Sequence, residues 1–160
     1  MVQNASLTAS VFLFAALGLA APAMGMEDRL RILDRDGTLI ASFNQAEAEA
    51  LGTREVVTST PWTRGIVRFS GVEGYRLLEA AGLSEVDITV IALDDYTVSL
   101  SWEDLTERNA LFASRVDGER LTLDRKGPFW TVFDFDDIPK TEGGEVRSKT
   151  IWHMIEIWVD

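Results

Sequence analysis

The sequence predicts an α+β domain: a β-rich, mixed-sheet fold with a few short helices. Three observations carry this. About eight short apolar segments are separated by turn signals, only three stretches have helical spacing, and strand–helix–strand alternation is not sustained.

The elements follow in order along the chain. Leu30–Leu33 and Thr38–Phe43 are short apolar segments joined by Asp34-Arg35-Asp36-Gly37, an Asp/Gly hairpin turn. The same four residues resemble the start of a calcium loop, but the later acidic ligand at EF-hand spacing is missing, so the turn is preferred. Asn44 can cap a short helix, Gln45–Leu51, that stops at Gly52. Val56–Thr60 reads as a strand running into Pro61, and Ile66–Phe69 as another after Gly65. Tyr75–Ala81 has good helix formers, with Gly82 to end it. Val86–Leu93 and Tyr96–Leu100 are strands. Ser101 and Asp104 form a capping-box start for a helix over Trp102–Arg108. Leu111–Val116 and Arg120–Leu123 flank Asp117-Gly118, a second hairpin signal, and Phe129–Phe135 is a strand of alternating aromatic and aliphatic residues. The polar stretch from Asp136 to Ser148, with Pro139 and Gly143-Gly144, reads as a surface loop. Thr150–Val159 closes the chain as a strand, with His153 expected on one face with Ile151, Ile155 and Ile157.

The chain has 160 residues, a size suited to one domain. Val11–Ala21 is an uncharged apolar run followed by small residues at Ala23 and Gly25, which fits a signal peptide over 1–25 and a single domain over 26–160. Eleven helical residues would span about 16 Å, far short of the ~30 Å hydrocarbon layer. The expected location is therefore periplasmic or otherwise exported, with no stable membrane span once the leader is cleaved. An n-region without Lys or Arg keeps an uncleaved N-terminal anchor open as the alternative. The net charge of −11 opposes nucleic-acid phosphates and anionic membranes; the expected partner is a small polar or anionic ligand held by local polar side chains, or a periplasmic protein. The chain contains no cysteine, so disulfides, thiolate metal ligands and cysteine nucleophiles are excluded. A single histidine rules out a multi-histidine metal site, and no Gly-rich nucleotide loop or Ser-His-Asp pattern is present.

Four phrases in order carry a family resemblance: FSGVEGYRLLEAAGL (69–83), VIALDDYTVSLSWEDL (90–105), LFASRVDGERLTLDRKGPFWTVFDFD (111–136) and RSKTIWHMIEIWV (147–159). Together they resemble the molybdopterin-binding domain of the sulfite-oxidase family of oxidoreductases, in particular its small stand-alone exported members. The likeness covers roughly residues 30–159. It implies a β-rich fold that cradles the pyranopterin-phosphate of a molybdenum cofactor, with a cysteine thiolate on the metal. Related reductases carry that cysteine four residues ahead of a tryptophan, which from Trp62 leads to Thr58. A threonine hydroxyl cannot replace a soft thiolate. The family's His-Gly-x-Pro-x-Arg phrase reads Asp124-Arg125-Lys126-Gly127-Pro128-Phe129-Trp130 here, without the histidine or the later arginine. The lysine the family places just before a tryptophan is also absent: Ile151 precedes Trp152, with Lys149 two positions earlier.

The candidate ligand-binding residues are Thr58, Ser59, Thr60, Trp62, Asp94, Tyr96, Arg125 and Lys126; no metal ligand and no catalytic residue is assigned. The three hydroxyls could hold a phosphate or pterin edge, or simply pair with backbone at a strand end. Trp62 could cover a planar ligand or belong to the core. Asp94 and Tyr96 could orient a ligand or form a turn. Arg125 and Lys126 could bind an acid group or flank a solvated hairpin. The expectation is a binding, sensory or partner module that has lost molybdenum ligation. The alternative is an active oxidoreductase that holds a molybdopterin without a protein thiolate.

Overall fold

The computed structural model describes residues 29–160, so the expected leader over 1–25 lies outside the described residues. Ten strands and four short helices are present among them. They are β1 (Arg29–Leu33), β2 (Leu39–Asn44), α1 (Gln45–Ala50), β3 (Arg54–Ser59), β4 (Ile66–Glu73), α2 (Gly74–Ala80), β5 (Ile88–Ala92), β6 (Thr97–Leu100), α3 (Trp102–Thr106), β7 (Leu111–Val116), β8 (Glu119–Arg120), β9 (Trp130–Val132), α4 (Gly143–Ser148) and β10 (Met154–Val159). The strands form two five-stranded sheets. The first runs β2-β1-β10-β5-β6, with β1 and β10 parallel and the other pairs antiparallel. The second runs β3-β4-β7-β8, with β9 also pairing to β7. This is the β-rich α+β class the sequence predicts.

The local devices act as their chemistry requires. Asp34 Oδ1 accepts the backbone N–H groups of Asp36 and Thr38 at 3.0 and 2.8 Å, which closes the first hairpin. Asn44 and Glu47 form a reciprocal capping box at the start of α1, and Ser101 and Asp104 do the same for α3.

The principal core lies between the first sheet, the inner face of the second, and α2 and α3. Leu30, Ile32, Leu77, Leu78, Leu105, Phe112, Phe129 and Phe133 are fully buried there. A smaller cluster, including Val56, Phe69, Leu111, Ala113 and Trp130, lies on the other face of the second sheet. β7 contributes to both, which explains its unbroken apolar start: Phe112 points into the principal core while Leu111 and Ala113 point into the smaller one.

Three expectations are corrected. Phe129–Phe135 does not form one long strand, because only Trp130–Val132 pairs with β7 while Phe129 and Phe133 fill the principal core. The predicted loop 136–148 ends in α4, where buried Val146 anchors a helix stitched by a Glu145–Lys149 ion pair at i,i+4. The last strand begins at Met154, not Thr150. His153 adopts a left-handed backbone (φ 55°), so it does not continue a strand face with Ile151.

The candidate cleft between Trp62 and Arg147

The hydroxyl segment at the end of β3 positions the loop and the tryptophan that shape the cleft. β3 is an edge strand, and its last residues turn their polar groups toward a loop from the far end of the chain. Thr58 is fully buried. Its Oγ1 accepts the Asp136 N–H at 3.2 Å and donates to the Ser59 carbonyl at 3.3 Å. Ser59 donates both its N–H (3.0 Å) and its hydroxyl (2.7 Å) to the Asp136 carboxylate. Those two bonds hold the Asp136 carboxyl below its usual range. Thr60 and Thr63 share a hydroxyl contact at 3.0 Å, and Thr60 Oγ1 accepts the Trp62 N–H at 3.2 Å. The three hydroxyls therefore do not face one open cradle. Thr58 and Ser59 latch the 134–142 loop, and Thr60 builds the turn around Pro61 that presents Trp62.

Trp62 enters a chain of edge-on aromatic contacts. Its ring lies 5.7 Å from Trp152 and 6.0 Å from Phe135. Trp152 is 5.9 Å from Trp130, which is 5.1 Å from Phe69. The Lys126 ammonium sits 4.1 Å from the Trp152 ring centre and 5.5 Å from that of Trp130. Lys126 is placed by two neighbours. Gly127 packs so tightly that a Cβ there would lie 2.4 Å from the Leu121 carbonyl oxygen, and the buried Gln45 amide donates to the Leu121 and Pro128 carbonyls at 2.8 and 2.6 Å. The His153 N–H donates to the Lys126 carbonyl, and the Leu93 N–H to the His153 carbonyl. These two backbone bonds bring the β5–β6 turn, with Asp94 and Tyr96, against Trp152.

The result is a cleft of about 370 Å³ with Trp62, Trp152 and Ile151 among its apolar walls and Asp94, Tyr96, Arg147 and Thr150 as its polar residues. A second cleft of about 610 Å³ adjoins it across Arg147 and is lined by Ser59, Thr60, Asp136 and Lys140. Arg147 makes no ion pair and no side-chain hydrogen bond among the described residues. Its helix neighbour Lys149 is differently committed. Lys149 donates to both oxygens of fully buried Asp104 at 2.9 and 2.8 Å and to Glu145 at 2.9 Å. Burial pushes the Asp104 carboxyl up, but hydrogen bonds from Lys149, Ser101 and Arg108 outweigh it and leave the group below its usual range. Lys149 is thus a structural cation that anchors α4 and cannot serve the cleft.

Of the sequence candidates, Trp62, Asp94 and Tyr96 line the first cleft, and Ser59 and Thr60 line the second. Thr58 is sealed behind them. Lys126 covers Trp152, while exposed Arg125 lies 4.0 Å from Glu119, away from both clefts. Arg147 is not among the sequence candidates, because its stretch reads as a polar loop. The Glu145/Lys149 spacing was the signal that α4 would present it.

The sequence profile described as oxidoreductase molybdopterin binding domain matches residues 35–134. That span holds Thr58, Trp62, Asp94 and Lys126 but stops short of Arg147 and Trp152. Among solved structures, the chain is similar to the sulfane dehydrogenase SoxCD from Paracoccus pantotrophus, with a TM-score of 0.58 and 13% identity. The match covers 85% of this chain but only 39% of that one, and it shows a shared fold. No curated protein matches. The donor set does not fit a thiolate-held molybdenum. There is no cysteine, and the Thr58 hydroxyl that the resemblance puts at the ligand position is buried and already hydrogen-bonded. Fold and matching profile together nevertheless place the chain in the oxidoreductase molybdopterin-binding domain family.

Proposed function

We propose that this protein is an exported, non-catalytic member of its family, a ligand-binding or sensory module that uses the Trp62–Trp152–Arg147 cleft. One observation carries the reading. At the position where the family's resemblance expects an open thiolate stands a sealed threonine, and the loop headed by Asp136 closes over it through three hydrogen bonds. A soft metal would find no soft donor there. What remains accessible is a cleft of a volume common for small-molecule sites, with aromatic walls and a few convergent polar groups. A periplasmic protein that senses the filled cleft is the natural partner for such a module.

The decisive experiment is to express the full chain in a host that makes the molybdenum cofactor and to measure metal and pterin in the pure protein. Substoichiometric molybdenum, below about a tenth of an atom per chain, is expected. Stoichiometric molybdenum would overturn the reading in favour of an active oxidoreductase that holds its cofactor without a protein thiolate. Export is tested separately by locating the full chain in periplasmic and cytoplasmic fractions and sequencing the N-terminus of the mature protein. Cleavage after Gly25 is the expected result.

A further inference from the structure

The cleft carries opposite charges at two places. Among the described residues Arg147 has no carboxylate partner, and the one hydrogen bond at Asp94 is a long one, from the Tyr96 N–H at 3.4 Å. No ion pair joins the two, although both line the same cleft. The same cleft is walled by the Trp62 and Trp152 indoles and the Ile151 side chain. One surface of Trp152 already carries the Lys126 ammonium, so a ligand ring must use Trp62 and the remaining edge of Trp152.

An isolated anion would meet Arg147 but also the Asp94 carboxylate, and an isolated cation would meet the reverse. A flat molecule with an acid at one end and a donor at the other satisfies both charges and places its ring against the indoles. We propose that this cleft binds a dipolar aromatic ligand. Its carboxylate or phosphate pairs with Arg147, its ammonium or hydroxyl donates to Asp94, and its ring lies on Trp62. This rests on the ligand-binding reading above and specifies the class of ligand. The guanidinium fork favours a planar acid and holds it with two parallel hydrogen bonds.

The test is calorimetric titration of the full chain with three matched compounds: 4-(aminomethyl)benzoate, benzoate and benzylamine. The doubly functional compound is expected to bind about tenfold tighter than either singly charged one, roughly the worth of one charge-assisted contact in a half-open site. Arg147→Gln should reduce its affinity to the level of benzylamine, and Asp94→Asn to the level of benzoate. Both residues are exposed, and circular dichroism checks that the variants fold. Benzoate binding that survives Asp94→Asn provides a second, positive control on the intact Arg147 end. Equal affinities for the three compounds, or affinities unmoved within twofold by both substitutions, would overturn the proposal. The metal assay and this titration fail independently. Stoichiometric molybdenum sinks the non-catalytic reading whatever the titration gives, whereas metal-free protein indifferent to all three compounds sinks only the dipolar-ligand assignment.

Discussion

Thr58 concentrates the residue-scale question, since one hydroxyl stands where a metal-binding thiolate is expected from the resemblance. The structure gives that hydroxyl a local duty: it takes the Asp136 N–H while the Asp136 carboxylate takes two donors from Ser59. Thr58→Val keeps the shape of the side chain and removes the acceptor, leaving Asp136 N–H to solvent at an exposed position. The expected cost is about 1 kcal/mol, a fall of roughly 3–5 °C in Tm, because a net hydrogen bond is worth about that much. The accompanying signature is faster amide exchange at Asp136 with exchange in β7 unchanged, since only the loop latch is lost. If exchange at Asp136 stays slow in the variant, the latch is held by Ser59 alone and the hydroxyl is packing material.

At the scale of elements, the second sheet depends on one close approach. β4 and β7 pair with a register shift between Ser70 and Gly71, and a Cβ at Gly71 would lie 2.1 Å from the Phe112 carbonyl oxygen and 2.6 Å from the Ala113 Cα. Both obstacles are backbone, so Gly71→Ala must push β4 away from β7, at an expected cost of about 3 kcal/mol read as a lowered urea midpoint. A midpoint within the error of the parent would mean that the bulge can slide to accommodate the methyl group. The same scale shows what the sequence discloses. The hairpins at Asp34–Gly37 and Asp117-Gly118 and the caps at Asn44 and Ser101 are legible because their signals lie within a few adjacent residues. Phe129–Phe135 misleads because its alternation of large apolar residues serves two cores and only three of its residues pair as a strand. α4 is hidden because its reasons are tertiary: Val146 inserted into the core and Lys149 drawn to Asp104 on another helix. Arg147 is hidden with it. Trp62, Asp94 and Tyr96 could be picked out by residue type, but their meeting depends on backbone bonds linking Lys126, His153 and Leu93, which no local pattern announces.

For the whole molecule, charge sets how the fold responds to acid. The chain carries a net −11, so mild acidification first relieves self-repulsion. Against this, Glu49, Asp104, Asp136 and Glu145 are all held below their ordinary carboxyl values, by Arg115 and Ser114, by Lys149, Ser101 and Arg108, by Ser59, and by Lys149 and Arg108 respectively. A carboxyl depressed in the folded state stabilises the fold above its unfolded pKa, and that contribution is lost as pH falls through the folded value. Their partners Lys149, Arg108 and Arg115 are shifted upward, so the cationic side of each pair weakens only in strongly alkaline solution. Stability is therefore expected to be greatest between about pH 5 and 7 and to fall steeply below about pH 4, where ordinary carboxyls protonate. Asp104 should account for the largest share, being fully buried with three hydrogen bonds from Lys149 and Arg108 around it. Asp104→Asn removes the charge while Lys149 and Arg108 keep Glu145 and reach solvent, so it should cost about 2–3 kcal/mol at pH 7, below the ~3–5 of a fully enclosed pair. The variant should also lose much of the acid dependence, so that parent and variant converge as pH falls. Urea unfolding of both chains from pH 3 to 8 reads this directly. Parallel curves, with the gap at pH 7 preserved at pH 3, would show that Asp104 acts through its hydrogen-bond geometry and not through its charge.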